Sequence, residues 1–146
     1  MVDWEILDNF ETNNTLYIDA NGLEMQEKFL FKRKEFNLDT DNTIASNFYP
    51  VTTALSIRDS SGFSQNQVTI MTDRSQAGSA GLRDQSNIEM ILQRRHNTHD
   101  NDGLGNTLLD ERDPNDKGTG LKVSATYWMQ VSQYSNSNST STQRIL

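Results

Sequence analysis

The chain has 146 residues, with 20 acidic against 13 basic side chains, a formal net charge of −7 and no cysteine; that length suits one domain or a piece of one. Apolar residues, glycine included, make up about 40% of it, below the roughly 45–50% of an average globular chain, which implies a thin or incomplete core. The charge argues against sequence-independent nucleic-acid binding, which needs a concentrated cationic surface, and the missing cysteine excludes disulfides, a thiolate nucleophile and Cys-ligated zinc.

At the start, Met1-Val2-Asp3-Trp4-Glu5 lacks the charged opening and apolar stretch of a secretory signal, and no apolar run in the chain is long enough to span a bilayer. Should the parent protein enter the secretory route, its signal is expected upstream of this segment. Leu16 and Ile18 alternate with Tyr17 and Asp19, the period of a half-buried strand, before the turn dipeptide Asn21-Gly22. Met25, Phe29 and Phe31 fall on one side of the next segment, opposite Gln26, Lys28 and Leu30. The lone basic cluster, Lys32-Arg33-Lys34, is followed at once by Glu35, and a polar connection then runs over 37–47. Leu55 and Ile57 alternate with Ser56 and Arg58 up to Asp59-Ser60-Ser61-Gly62, and Val68, Ile70 and Thr72 alternate with Thr69 and Met71. Beyond a second polar connection at 73–87, residues 89–95 fit both a helical stripe and a strand face; their strand-rich surroundings favour a strand. A third polar connection fills 96–120. Val123, Ala125, Tyr127, Met129 and Val131 then give the cleanest alternation in the chain. These segments predict an all-β fold over 1–134 with long polar loops, and 135–146 reads as a low-complexity flexible tail.

Few constellations carry chemistry. His96 and His99, with Asp100 and Asp102, would converge on a metal only from a helix, and the surrounding Asn and Gly make a loop. Thr98, Asp100, Asp102 and Gly103 mimic part of a calcium loop but have Leu109 where its bidentate Glu belongs. The carboxylate pairs (Asp39 with Asp41, Asp100 with Asp102, Asp110 and Glu111 with Asp113) sit in polar loops without the apolar context that splits two pKa values for glycoside cleavage. Neither histidine has a nucleophile-elbow serine to serve. Gly78-Ser79-Ala80-Gly81 is followed by no Gly-Lys-Ser/Thr and reads as a turn between strands. In a strand, Arg94 would share a face with Ile88, Met90 and Leu92, and Arg95 the opposite face with Glu89, Ile91 and Gln93. Buried placement of Arg94 requires a strand end, a cleft or a carboxylate partner; ordinary surface arginines are the plain alternative. Asn13-Asn14-Thr15 and Asn138-Ser139-Thr140 are acceptor triplets for N-glycosylation, at Asn13 and Asn138.

Four motifs, taken together, carry a resemblance. Tyr17-Ile18-Asp19-Ala20-Asn21-Gly22-Leu23-Glu24-Met25, Asn47-Phe48-Tyr49-Pro50-Val51, Thr72-Asp73-Arg74-Ser75-Gln76-Ala77-Gly78-Ser79, and Ile88-Glu89-Met90 leading to Arg94-Arg95 stand in the order and approximate spacing of the C-terminal half of glycoside hydrolase family 38. The stretch from about Thr15 to Glu111 resembles these lysosomal, vacuolar and Golgi-type α-mannosidases. The resemblance implies a β-sandwich of their large C-terminal β region, of the supersandwich type. It also implies that zinc and the Asp nucleophile of retaining α-mannoside cleavage belong to an N-terminal barrel preceding this segment. No catalytic residue and no metal ligand is carried over. What the resemblance does transfer is a cleft-approaching role for an arginine of the Arg94-Arg95 pair, the strand-face argument favouring Arg94 as the one aimed inward, with Tyr49, beside Pro50, supporting the same edge. Ala77-Gly78 replaces the family's usual Gly-Gly, and His99-Asp100-Asn101-Asp102-Gly103 lacks the arginine usual in that loop.

The expected function is that of a β-domain supporting the catalytic barrel of a zinc-containing enzyme that trims mannose from N-glycans and glycoproteins in a lysosomal, vacuolar or other secretory lumen. Its expected partners are that barrel and mannose-containing glycans, with no nucleic acid and no membrane; the isolated chain is expected to be inactive. A noncatalytic carbohydrate-binding or structural β-sandwich module is the alternative.

Overall fold

The computed structural model of the chain describes residues 1–6, 10–32, 44–62, 65–93 and 123–134. Extended backbone sends every second side chain to the same face, and among the described residues it builds nine strands: β1 (Val2–Glu5), β2 (Thr15–Ile18), β3 (Gln26–Phe29), β4 (Tyr49–Val51), β5 (Ala54–Arg58), β6 (Asn66–Thr72), β7 (Gln76–Ala80), β8 (Asn87–Ile91) and β9 (Tyr127–Gln133). They form a four-stranded sheet ordered β1-β8-β7-β4 and a five-stranded sheet ordered β3-β2-β5-β6-β9, with antiparallel pairing throughout. The all-β fold expected from alternation, and the β-sandwich that the resemblance implies, are what form.

The two inner faces meet in one apolar core. Leu16 and Ile18 of β2, Leu55 and Ile57 of β5 and Val68 and Ile70 of β6 supply one layer; Val51 of β4, Ala80 of β7 and Ile88 and Met90 of β8 supply the other. Each large side chain so buried contributes about 1.5–3 kcal/mol relative to exposure. Gly78 of β7 is hemmed in by side chains from both layers. A Cβ at that position would lie 2.7 Å from Met90 Sδ, 2.9 Å from Val51 Cγ2 and 3.0 Å from Leu55 Cδ1 of the opposite sheet. A side chain here would have to displace the ends of Met90 and Val51 on the neighbouring strands and of Leu55 across the core, so crowding by these side chains is the physical reason for the glycine.

Several expectations are corrected. The stretch from Gly78 to Ala80 is strand, not turn; the turn begins at Gly81, whose φ of 77° suits glycine. The ambiguous segment after Asn87 is a strand, and it ends at Ile91. In β3 the apolar side faces out. Phe29 is 42% exposed and Phe31 48%, whereas Leu30 is buried, because Gln26 and Lys28 sit opposite Ile18 and Leu16 and so occupy the inner margin of an edge strand. The cleanest alternation, in β9, also fails to predict burial: Trp128, Met129 and Val131 are 49%, 51% and 66% exposed. β1 and β4 gave no clear periodic signal, yet each closes an edge of the smaller sheet.

Candidate functional site

The motif residues that suggest the family prove to be the scaffold's polar wiring. Asp19 is buried at the end of β2, where its carboxylate accepts hydrogen bonds from the Gly22 N–H and the Thr53 hydroxyl. Its backbone N–H donates to Ala54 O at 3.0 Å. The Asn21-Gly22 turn is thus pinned to the neighbouring strand, with Gly22 at a φ of 75°. Asn47, also buried, closes a short 3-10 turn (Ala45–Asn47). Its Oδ1 accepts from the Phe31 N–H at 2.8 Å, holding the positive φ of 58° at Phe31, and its carbonyl accepts from the Ser79 hydroxyl at 2.8 Å. These bonds satisfy polar groups that would otherwise be costly inside the sandwich.

The Thr72-Asp73-Arg74-Ser75-Gln76 run does the same for β9. Asp73 Oδ2 accepts the Thr126 N–H at 3.0 Å, Gln76 Nε2 donates to Thr72 Oγ1 at 3.0 Å, and the Tyr127 hydroxyl donates to Gln76 Oε1 at 2.8 Å. The Arg74 guanidinium, hydrogen-bonded to Asp73, holds that carboxyl below its ordinary value; the Thr126 N–H acts in the same direction. Tyr127 in turn packs edge-on against Trp4, with ring centroids 4.9 Å apart, and links β9 to the opposite sheet.

Tyr49, proposed from the resemblance to lie at a cleft edge, has its ring in the core, and its hydroxyl donates to the Phe29 carbonyl at 3.1 Å. It ties the two sheets together. Arg94 and Arg95 lie outside the described residues, as do His96, His99, Asp100, Asp102, Asp110, Glu111, Asp113 and Asn138. The face argument that singles out Arg94 needs a strand running through Leu92, and β8 stops at Ile91 with a bend at Leu92. Strand parity therefore does not assign the two guanidinium groups. Asn13 is exposed on the turn into β2, at a φ of 51°, and the Thr15 hydroxyl donates to its carbonyl at 3.2 Å.

Sequence reasoning missed the most buried charge. Glu89 is 2% exposed, on the outer face of β8 and directly opposite Asp3 of β1. Arg83 Nε lies 3.0 Å from Glu89 Oε1 and Arg83 Nη1 3.8 Å from Asp3 Oδ2. Asn87 Nδ2 donates to both carboxylates, at 3.2 Å to Glu89 and 3.4 Å to Asp3. Two like charges facing each other across a ladder repel, and one guanidinium with one amide bridges them. The available signal was Arg83, placed six positions before Glu89 across a tight turn. On the outer face of the larger sheet, Arg58 stacks 4.2 Å from the Tyr17 ring centroid and 5.2 Å from that of Tyr134, and its Nε donates to Gln67 at 2.9 Å. Burial, reinforced by the bond to Glu27, raises the Tyr17 phenol above its ordinary value, with Arg58 opposing.

Chemically, Asp19, Asp73 and Glu89 are each engaged in holding strands and turns together. Among the described residues no group of three or more His, Cys, Asp or Glu is placed to hold a metal ion, so these residues do not fit a zinc site. No helix among them is long and apolar enough to cross a membrane.

No family model matches the chain. Curated relatives do. It is 39% identical over 111 residues to a lysosomal α-mannosidase of Felis catus, a match covering 73% of this chain and 10% of that protein. With a lysosomal α-mannosidase of Homo sapiens it shares 37% over 100 residues, 68% of this chain and 9% of the relative. A probable α-mannosidase of Arabidopsis thaliana is 28% identical over 130 residues, 89% of this chain and 12% of the relative. The chain spans about a tenth of the length of these relatives. With the four motifs wired into an all-β sandwich and animal and plant α-mannosidases aligned along most of its length, the chain belongs to the α-mannosidases of glycoside hydrolase family 38.

Proposed function

We propose that this chain is the β-sandwich part of a longer α-mannosidase and acts there as a support for a catalytic barrel encoded outside it. The observation that carries this reading is the 39% identity to a lysosomal α-mannosidase over 111 residues, in a chain whose motif carboxylates are committed to scaffold bonds. The parent enzyme would remove terminal α-mannose from N-glycans and glycoproteins in a lysosomal or vacuolar lumen, with zinc held by the barrel. Arg94 and Arg95, which follow the end of β8 by three and four positions, would border the cleft, where a planar fork of donors suits a sugar hydroxyl or a carboxylate of the barrel. Asn13 and Asn138 would be its glycan acceptors in that lumen.

The test is turnover of p-nitrophenyl α-mannoside with added zinc at mildly acidic pH. The 146-residue chain is expected to release no nitrophenol, and the full-length product of its gene is expected to release it. In that full-length enzyme Arg94→Ala and Arg95→Ala should separate a cleft residue, whose loss lowers kcat or raises KM, from a surface arginine, whose loss does neither. Turnover by the chain alone overturns the division of labour.

A further inference from the structure

Among the described residues four strands form the edges of the two sheets: β1 and β4 on one, β3 and β9 on the other. An edge strand offers unpaired backbone groups to any passing strand, and proteins blunt that hazard with charge, proline or shortness. Three edges here are blunted in these ways. β1 carries Asp3 and Glu5, β3 carries Glu27 and Lys28, and β4 is three residues long with Pro50 at its centre. β9 has none of these devices. It is seven residues long, Tyr-Trp-Met-Gln-Val-Ser-Gln, with no charge and no proline.

The ladder says which of its backbone groups are free. Just beyond the two ends of β9, Tyr134 N–H donates to Gln65 O at 2.7 Å and Asp73 N–H donates to Thr126 O at 3.2 Å. Antiparallel pairs alternate between bonded and non-bonded, so with the observed register Trp128, Gln130 and Ser132 exchange bonds with β6. Tyr127, Met129, Val131 and Gln133 then direct their N–H and C=O groups away from it, where no strand lies among the described residues. Met129 and Val131 stand opposite the buried Ile70 and Val68 and so continue the core face past its cover, 51% and 66% exposed.

The geometry points to β9 as an acceptor edge for a further β-strand, contributed by the part of the parent polypeptide that lies outside this chain. This rests on the proposed function: about nine-tenths of the length of the matched relatives has no counterpart here. That leaves ample polypeptide, tethered at high effective concentration, to supply both the strand and the apolar cover for Met129 and Val131. The incoming strand would pair with the outward-facing groups and present apolar side chains on the Met129 and Val131 side. A second copy of the chain is the weaker occupant, because each copy carries a net charge of −7 and like-charged molecules repel.

Amide hydrogen exchange, read residue by residue, tests this on the 146-residue chain and on the full-length gene product. In both, Trp128, Gln130 and Ser132 should be protected by β6. Met129, Val131 and Gln133 should exchange freely in the chain and at least about a hundredfold more slowly in the full-length protein. Free exchange in both overturns the strand pairing while leaving the mannosidase reading intact if the full-length protein cleaves the nitrophenyl mannoside. Protection already present in the chain, whether it rises with concentration as a second copy would require or is independent of it, also overturns the proposal. A gene product no longer than this chain overturns both readings.

Discussion

β8 and β9 make an instructive pair. Both are strands, yet β8 is buried on both faces, with Ile88 and Met90 inward and Asn87 and Glu89 outward, whereas β9 leaves Met129 and Val131 largely in solvent. Sequence ranked them the other way: the residues of β8 were ambiguous and those of β9 alternated cleanly. The difference teaches that alternation reports extended backbone, while burial depends on whether a second layer lies overhead. β8 has β1 and β7 as neighbours and the larger sheet across the core; among the described residues β9 is paired on one side only.

The sharpest way to break this comparison is to cut into each strand. Met90→Ala should cost about 2–5 kcal/mol in a urea titration, the range for emptying a packed core site, and Val131→Ala should stay within about 0.5 kcal/mol, as for an exposed position. Equal losses would refute the contrast. Next in size, Gly78→Val should cost about 1–3 kcal/mol or more through overpacking, since its side chain would meet Met90, Val51 and Leu55; Gly62→Ala, at an open turn with nothing within 4 Å, should report only the cost of its positive φ. A smaller effect is expected at the outer face of β8. Arg83→Met leaves Glu89 and Asp3 bridged by Asn87 alone, for about 1–3 kcal/mol, moderated because Arg83 is 64% exposed in its side chain and water replaces part of what it supplied.

The smallest effect belongs to the loop that ties in β9. The Asp73 carboxyl is held below its ordinary value of 3.8, first by Arg74 and then by the Thr126 N–H. A depressed folded-state value means that its tether is intact above the unfolded value and is lost as pH falls through the folded one. The amide resonance of Thr126 should therefore shift with a midpoint below 3.8, and Arg74→Ala should move that midpoint upward.

Much of the larger sheet was legible in advance. Leu16 and Ile18, Leu55 and Ile57, and Val68 and Ile70 all fall inward as their alternation requires. β7 was not legible because Gln-Ala-Gly-Ser-Ala contains no strong strand former; it is extended because a small strand is what fits beneath Met90 and Leu55, a tertiary demand that overrides propensity. β3 misled because aromatic side chains at an edge need not face the core. Of the candidate site, Tyr49 was found for its motif but holds a core position, and the parity argument for Arg94 loses its footing where β8 ends. The burial of Glu89 was not legible because a glutamate between Ile88 and Met90 reads as a solvent-facing residue until Arg83, paired with it, comes into view.

The pairing of β1 with β8 sets Asp3 beside Asn87, 84 residues further along, and so orders events during synthesis. β1 leaves the ribosome long before its partner exists, and Trp4 waits longer still for Tyr127, the ring it packs against, while the β5–β6 hairpin closes locally. The smaller sheet can be completed only after Ile91 has emerged, so a nascent chain arrested earlier leaves β1 without its partner and the inner face of the larger sheet without Ile88 and Met90.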